Sequence, residues 1–261
     1  MLLALDIGNT TIHAGVFRGA HLLRQWRLST DRHRTSDEWG LLMAGLLTHG
    51  GLNPRDVSGI ALSSVVPPLN RALEEMCRAY FGREPLVVGP GTRTGIHIRY
   101  ETPRDVGADR IVNAVAAHRL YGGPVIVVDF GTATTFDVVS AAGEYLGGVI
   151  APGIGISTEA LFEHASKLPR VDLVVPRTVI GRNTVASMQS GIIYGFAGQV
   201  DGIVERVAAE IGGNPDVVAT GGLAETVSGL SRTIRRVNPL LCLEGLRLIY
   251  ELNAGTGPAG A

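Results

Sequence analysis

The sequence predicts an α/β protein made of two similar domains, and three observations carry that reading. Apolar runs of strand length alternate with segments of helical periodicity along most of the chain. A strand that ends in Asp and enters a Gly- and Thr-containing turn occurs twice. The copies are Leu3-Ala4-Leu5-Asp6-Ile7-Gly8-Asn9-Thr10-Thr11 and Ile126-Val127-Val128-Asp129-Phe130-Gly131-Thr132-Ala133-Thr134, with the aspartates 123 positions apart. That separation is close to half of the 261 residues, so duplication of a whole domain explains it better than chance recurrence of a Gly-rich turn. A hinge near Gly107 is expected, giving domains over residues 1–106 and 107–261 with the two turns facing one cleft.

The elements follow in order. Leu2 to Asp6, Ile12 to Phe17 and Leu22 to Leu28 read as strands of a meander, broken at Gly8-Asn9-Thr10 and at Arg18-Gly19-Ala20. Thr35-Ser36-Asp37-Glu38 offers a capping box ahead of Trp39, Leu42, Leu46 and Leu47, which lie at helical spacing. Ile60 to Val66 is a buried-type strand, Pro68 suits a first helical turn, Leu69 to Tyr80 is helical, and Pro85 to Val88 returns as a strand. A second cycle starts with a helix over Ala108 to Tyr121 and strands over Val125 to Asp129 and Thr135 to Val139, ending at a turn near Gly143. Helices are expected from about Ser157 to Lys167 and from Thr184 to Ile211, then a strand Val217 to Ala219 and a last helix near Glu244 to Leu252. Met188, Ile192, Ile193 and Phe196 form an apolar stripe on the long helix, which suits the core of its own domain better than a subunit interface.

Composition narrows the function classes. A chain 45% apolar and 18% charged folds and is not disordered, and a net charge of -1 gives no reason to expect nucleic acid or an anionic membrane as partner. No run reaches the roughly 18 apolar residues of a membrane span, and the apolar start is cut by Asp6, so a cytoplasmic protein is expected. Cys77 and Cys242 read as two buried thiols. Lys167 is the only lysine and lies in Ala165-Ser166-Lys167-Leu168-Pro169, which excludes a P-loop. None of the seven histidines pairs at metal-ligand spacing, and no Ser or Cys nucleophile motif is present.

What remains is phosphate chemistry. A strand ending in Asp, then Gly and hydroxyl residues, gives free backbone N–H groups for phosphate oxygens and a carboxylate able to hold a hydrated magnesium ion. Asp6, Gly8, Asn9, Thr10 and Thr11 supply one such turn, Asp129, Gly131, Thr132 and Thr134 the other. With no lysine nearby, neutralisation of phosphate charge falls to metal ions and amides. Gly107-Ala108-Asp109-Arg110 opens a helix between the halves. There Asp109 is either a general base or an acidic first-turn residue complementing the helix dipole, and Arg110 taken alone reads as a surface residue. Asn183-Thr184 reads as a helix N-cap ahead of a substrate contact, and Thr220-Gly221-Gly222 as a tight turn ahead of a purine-approach site. On these residues alone, phosphoryl transfer and phosphate-ester hydrolysis both stand.

Taken together and in this order, Asp6-Ile7-Gly8-Asn9-Thr10, Gly107-Ala108-Asp109-Arg110, Asp129-Phe130-Gly131-Thr132-Ala133-Thr134 and Thr220-Gly221-Gly222 resemble the type III pantothenate kinases, within the actin-like ATPase superfamily of acetate and sugar kinases. The resemblance implies two tandem ribonuclease-H-like domains with ATP between them, and transfer of its γ-phosphate to the terminal hydroxyl of pantothenate, the first step toward coenzyme A. It also implies a homodimer requiring a divalent ion, Mg2+ or similar, and a monovalent cation, K+ or NH4+. By position it assigns ATP to Asp6, Ile7, Gly8, Asn9, Thr10, Thr11, Ile12, His13 and Thr132, with Mg2+ reached from Asp6 through water. Asp109 becomes the proton acceptor, Asp129 the holder of the monovalent cation, and Tyr100, Gly107, Ala108, Asp109, Arg110 and Thr184 the pantothenate contacts. The readings set against it are a non-catalytic nucleotide-binding regulator, and a sugar kinase or phosphatase on the same scaffold.

Overall fold

Alternating side chains along the first strands sort into an apolar set and a small or polar set, and the helices follow that sorting. The computed structural model describes residues 1–254, so the last seven positions of the expected second domain lie outside it. The chain divides into two compact units. One comprises Met1–His97, Glu101–Ala116 and the described residues from Leu241 to Ala254; the other comprises Ile98–Tyr100 and Ala117–Leu240.

In the first unit β1 (Leu2–Ile7), β2 (Thr11–Arg18), β3 (His21–Ser29), β4 (Gly59–Ser64) and β5 (Leu86–Val87) form a sheet of order β3-β2-β1-β4-β5. β1 runs antiparallel to β2 and parallel to β4. Leu3, Leu5, Ile7, Ile12, Ala14, Val16, Ile60 and Leu62 point to one face and form a core with Trp39 and Met43 of α1 (Ser36–His49) and Leu69, Leu73 and Met76 of α2 (Pro67–Phe81). The opposite face carries Ala4, Gly15, Gly59 and Ala61, and these small residues admit α7 (Leu241–Ala254). A Cβ on Gly15 would lie 2.7 Å from Leu243, and one on Gly59 would overlap Tyr250. The expected capping box is formed, with Glu38 N donating to Thr35 Oγ1 at 3.3 Å and Thr35 N to Glu38 Oε2 at 2.8 Å. Proline opens α2 as expected.

The second unit repeats the plan. β6 (His97–Ile98), β7 (Val125–Phe130), β8 (Ala133–Val139), β9 (Glu144–Pro152), β10 (Asp216–Gly221) and β11 (Arg236–Val237) form a sheet of order β11-β10-β7-β8-β9-β6. Apart from the added edge strand β6, this is the strand order of the first sheet with the same parallel and antiparallel neighbours. Ile126, Val128, Phe130, Phe136, Val217 and Ala219 share a core with Met188, Ile192 and Val200 of α5 (Thr184–Ile211), so the apolar stripe of the long helix faces its own unit. α3 (Ala108–Tyr121), α4 (Ile154–His164) and α6 (Ala224–Ser228) complete the chain.

Three differences from expectation have physical causes. A single cut between residues 106 and 107 does not describe the division, because α7 packs on β1, β2 and β4 and so returns the end of the chain to the first unit. β9 is missing from the sequence reading because Gly147-Gly148 interrupts its alternation, and pairing with β8 imposes the strand. The second Asp turn is one residue tighter than the first. Ile7 pairs with Ile12 but Phe130 with Thr134, so the 123-position offset becomes 122 beyond the turn.

Candidate active site

In each unit the site grows from the end of the first strand, where burial changes from complete to partial at the aspartate. β1 and β7 share that burial profile position by position.

In the first unit, register sets Asp6 between His13 on β2 and Ser63 on β4, all on the face covered by α7. Burial pushes the Asp6 carboxyl up to about 7, the nearby charge of Asp109 adds to the rise, and the Cys242 and Ser63 side chains oppose it. Asp109, in the first turn of α3, is likewise raised by burial, and the backbone N–H and charge of Arg110 oppose that rise. Arg110 N donates to Asp109 Oδ1 at 2.8 Å, so Asp109 serves the helix terminus as well as standing near Asp6. Gly107 makes this curl possible, since a Cβ there would meet Asp109 Oδ1 at 2.5 Å. Arg110, expected on the surface, is buried.

The turn after β1 is closed by Gly8 N donating to Thr11 O at 3.1 Å, and a Cβ on Gly8 would sit 2.9 Å from that oxygen. Asn9, Thr10 and Thr11 are exposed, whereas Ile7 and Ile12 are core residues within the sheet. His13 is buried, its Nε2 2.7 Å from Gln25 Oε1, and burial holds its pKa below the usual imidazole range, with the Gln25 contact opposing and Arg27 adding. The turn is braced from β3 onward: Thr30 Oγ1 donates to Gly8 O at 2.7 Å, and Arg32 Nη2 to Asn9 Oδ1 at 3.0 Å. Arg32 is the cation that sequence reasoning missed. It lies 23 positions from Asn9, and only the β2–β3 hairpin brings it to the turn.

In the second unit, register sets Asp129 between Thr135 on β8 and Thr220 on β10. Gly221, at φ 91°, lies against Asp129; a Cβ there would come within 2.6 Å of Asp129 Oδ1 and of Phe130 O. Thr220-Gly221-Gly222 is thus the tight exit from β10 that the sequence favoured. Gly131 N donates to Ala133 O at 3.1 Å to close the second turn, leaving Thr132 exposed. Gly153, the N-cap of α4, packs so closely on Thr132 O that no side chain fits, which brings the α4 N-terminus to this turn. Nothing in the local sequence pattern around Gly153 announces that.

Tyr100 is part-exposed, its ring centroid 6.4 Å from that of Tyr145 at 53°. Thr184 follows the N-cap Asn183, whose Oδ1 accepts from Ala186 N at 2.8 Å, and it lines a cavity of about 500 Å3 with Ser157, Leu161, Met188 and Phe196. The residues read from sequence therefore fall into two groups. Asp6 to His13 and Gly107 to Arg110 belong to the first unit, Tyr100, Asp129, Thr132 and Thr184 to the second. Of the two thiols, Cys77 is buried, with its pKa pushed up to about 12 by that burial, while Cys242 is only half-buried and stands by Asp6.

No group of three or more His, Cys, Asp or Glu among the described residues is placed to cage a metal ion. The Asp6–Asp109 pair instead fits an ion that keeps water and phosphate oxygens as ligands, the habit of Mg2+. The row Thr135–Asp129–Thr220 offers only oxygen, which suits a hard monovalent cation, whereas the corresponding row of the first unit contains an imidazole.

Comparison with known proteins gives these features a context. Residues 2–206 match the family model described as type III pantothenate kinase. The chain is 58% identical over 253 residues to a type III pantothenate kinase of Moorella thermoacetica, covering 97% of this chain and 100% of the relative. Among solved structures, a conserved putative Baf family transcriptional activator from Campylobacter jejuni matches with TM-score 0.60 at 19% identity, covering 97% of this chain and 99% of that one. A ROK hexokinase from Thermus thermophilus matches with TM-score 0.53 at 16% identity, covering 97% and 99%. At those identities the two structures speak for the fold alone.

Proposed function

The chain belongs to the type III pantothenate kinase family, and from that premise we infer that it transfers the γ-phosphate of ATP to the terminal hydroxyl of pantothenate, yielding 4'-phosphopantothenate. The proximity of Asp6 and Asp109 carries the chemistry. The acceptor hydroxyl loses a proton as its oxygen bonds to the γ-phosphorus and the bond from that phosphorus to the bridging oxygen breaks, releasing ADP, and a carboxylate with raised proton affinity is suited to receive the proton. Asp109 is that proton acceptor in our reading, since burial raises its pKa and its position in the first turn of α3 fixes its direction. Asp6 takes the divalent ion through water. When bound, that ion supplies charge neutralisation on the ATP phosphates.

Within the segment Asp6 to His13, the exposed turn residues Asn9, Thr10 and Thr11 receive phosphate oxygens, with Arg32 adding the positive charge that lysine does not provide. Thr132 and the α4 N-terminus receive phosphate in the second unit. Asp129 holds K+ or NH4+, a reading supported by its all-oxygen row. Tyr100, Gly107 to Arg110 and Thr184 contact pantothenate. A homodimer is supported by the exposed apolar residues of the second unit, Ile150, Val174, Val175, Val179, Ile180 and Val185. The cytoplasm is the expected compartment, since ATP is the donor and two free thiols suit a reducing milieu.

Measuring ADP release with pantothenate, with a sugar and with water alone, in potassium and then in sodium buffer, tests the whole reading. ADP is expected with pantothenate only, and faster in potassium. Equal release with sugar or with water alone would refute it.

A further inference from the structure

The two copies of the duplicated sheet diverge at one buried position. Register sets Gly15 opposite Ala4 in the first sheet and Asp137 opposite Val127 in the second, so Asp137 occupies the place of a glycine that Leu243 covers. Asp137 is fully buried. A carboxylate is costly in such a place unless hydrogen bonds meet it, and the fold of the first copy shows that the position needs no charge.

Two hydroxyls meet it, one on each oxygen. Tyr145 OH donates to Asp137 Oδ1 at 2.7 Å, and Thr135 Oγ1 donates to Asp137 Oδ2 at 3.1 Å. Thr135 is the register neighbour of Asp129. Tyr145 is the ring beside Tyr100, and Gly147, at φ 115°, lies alongside the Tyr100 ring, a Cβ there coming into ordinary contact with it at 3.4 Å. One buried carboxylate thus joins the row of Asp129 to the ring of Tyr100.

A hydroxyl has one proton and two acceptor lone pairs. With its proton committed to Asp137, Thr135 presents only lone pairs to whatever lies beside Asp129, which is the presentation a cation requires. We propose that Asp137 is a positioning residue that turns Thr135 into an oxygen ligand for the cation at Asp129 and holds Tyr145 against Tyr100, so that cation and acceptor bind cooperatively. This rests on assigning the monovalent cation to Asp129 and pantothenate to Tyr100.

Cooperativity of this kind is reciprocal: potassium tightens pantothenate binding by the same factor by which pantothenate tightens potassium binding. The test is calorimetric titration of pantothenate in potassium and in sodium buffer of equal ionic strength, together with the potassium-dependent rise in thermal unfolding temperature. The wild-type protein should show the coupling. Asp137→Asn and Thr135→Val should weaken potassium binding about ten-fold, the lower end of what loss of a ligand-orienting partner costs, and remove the coupling, with Thr135→Ser restoring both. Tyr145→Phe should remove the coupling while potassium alone binds as before. If Asp137→Asn does not fold, Thr135→Val and Tyr145→Phe carry the test. Retention of potassium affinity and coupling in these variants, with both lost in Asp129→Asn, would overturn the role of Asp137 and leave the cation reading intact. An unchanged potassium response in Asp129→Asn would overturn the cation reading, and this proposal with it.

Discussion

Replacing Asp6 by Asn should stabilise the folded chain while abolishing its activity, and the stabilisation should depend on pH. The native Asp6 carboxyl titrates at about 7, against 3.8 for an unperturbed carboxyl, because it is buried and lies near Asp109. Between about pH 4 and 7 the native state therefore holds a proton that the unfolded chain releases, and wild-type stability falls as pH rises through that window. A displacement of that size corresponds to at most about 4 kcal/mol above pH 7, and partial solvation of the site makes about 2 kcal/mol the smaller reasonable value. Asparagine has nearly the same shape and no charge, so it removes this penalty, and its amide can donate toward Asp109. At roughly 2–4 °C per kcal/mol for a chain of this size, the Asn variant should unfold about 4–16 °C higher at pH 8, and within a degree or two of the wild type at pH 4. Differential scanning calorimetry of both proteins from pH 4 to 8, without nucleotide or divalent ion, measures the gap. Parallel profiles, or a variant less stable at pH 8, would show that Asp6 is ionised without cost and that the site is better solvated than its burial implies.

Other substitutions address the remaining parts of the site. Asp109→Asn should lower kcat by roughly 10²–10⁴ with an unchanged circular dichroism spectrum, and a loss of only a few-fold would remove it as the proton acceptor. Arg32→Ala should raise KM for ATP about three- to ten-fold and leave KM for pantothenate unmoved, the scale of ~1 kcal/mol for an exposed charged contact; equal effects on both substrates would argue against a phosphate role. Gly221→Ala places a Cβ 2.6 Å from Asp129 Oδ1 at a positive φ, so it should destabilise by more than about 1 kcal/mol in urea unfolding and weaken the potassium response, whereas a neutral effect would mean the β10 exit relaxes freely.

Most elements were legible because their causes are local. The capping box at Thr35 and Glu38, proline in the first turn of α2, and the apolar periodicity of α5 each lie within a few residues, and the structure forms all three. The duplication was legible as well, since a strand ending in Asp and a Gly turn constitute a local pattern that survives copying. Less legible were the short strands β6 and β11, too brief to show a period, and β9, whose glycines erase it.

The site divides along the same line. The amino-acid sequence by itself determined which carboxylates sit at strand ends and helix starts, because a chain's hydropathy and turn residues specify where a strand stops. Only the tertiary structure decided what those carboxylates meet. Arg32 reaches Asn9 through a hairpin, Ser63 and Cys242 reach Asp6 through a parallel strand and a helix from the far end of the chain, and Thr135 and Tyr145 converge on Asp137 through sheet register. Proton affinity and ion preference depend on those partners and on exclusion of water, and both arise from packing between residues distant in the chain, which no local pattern records.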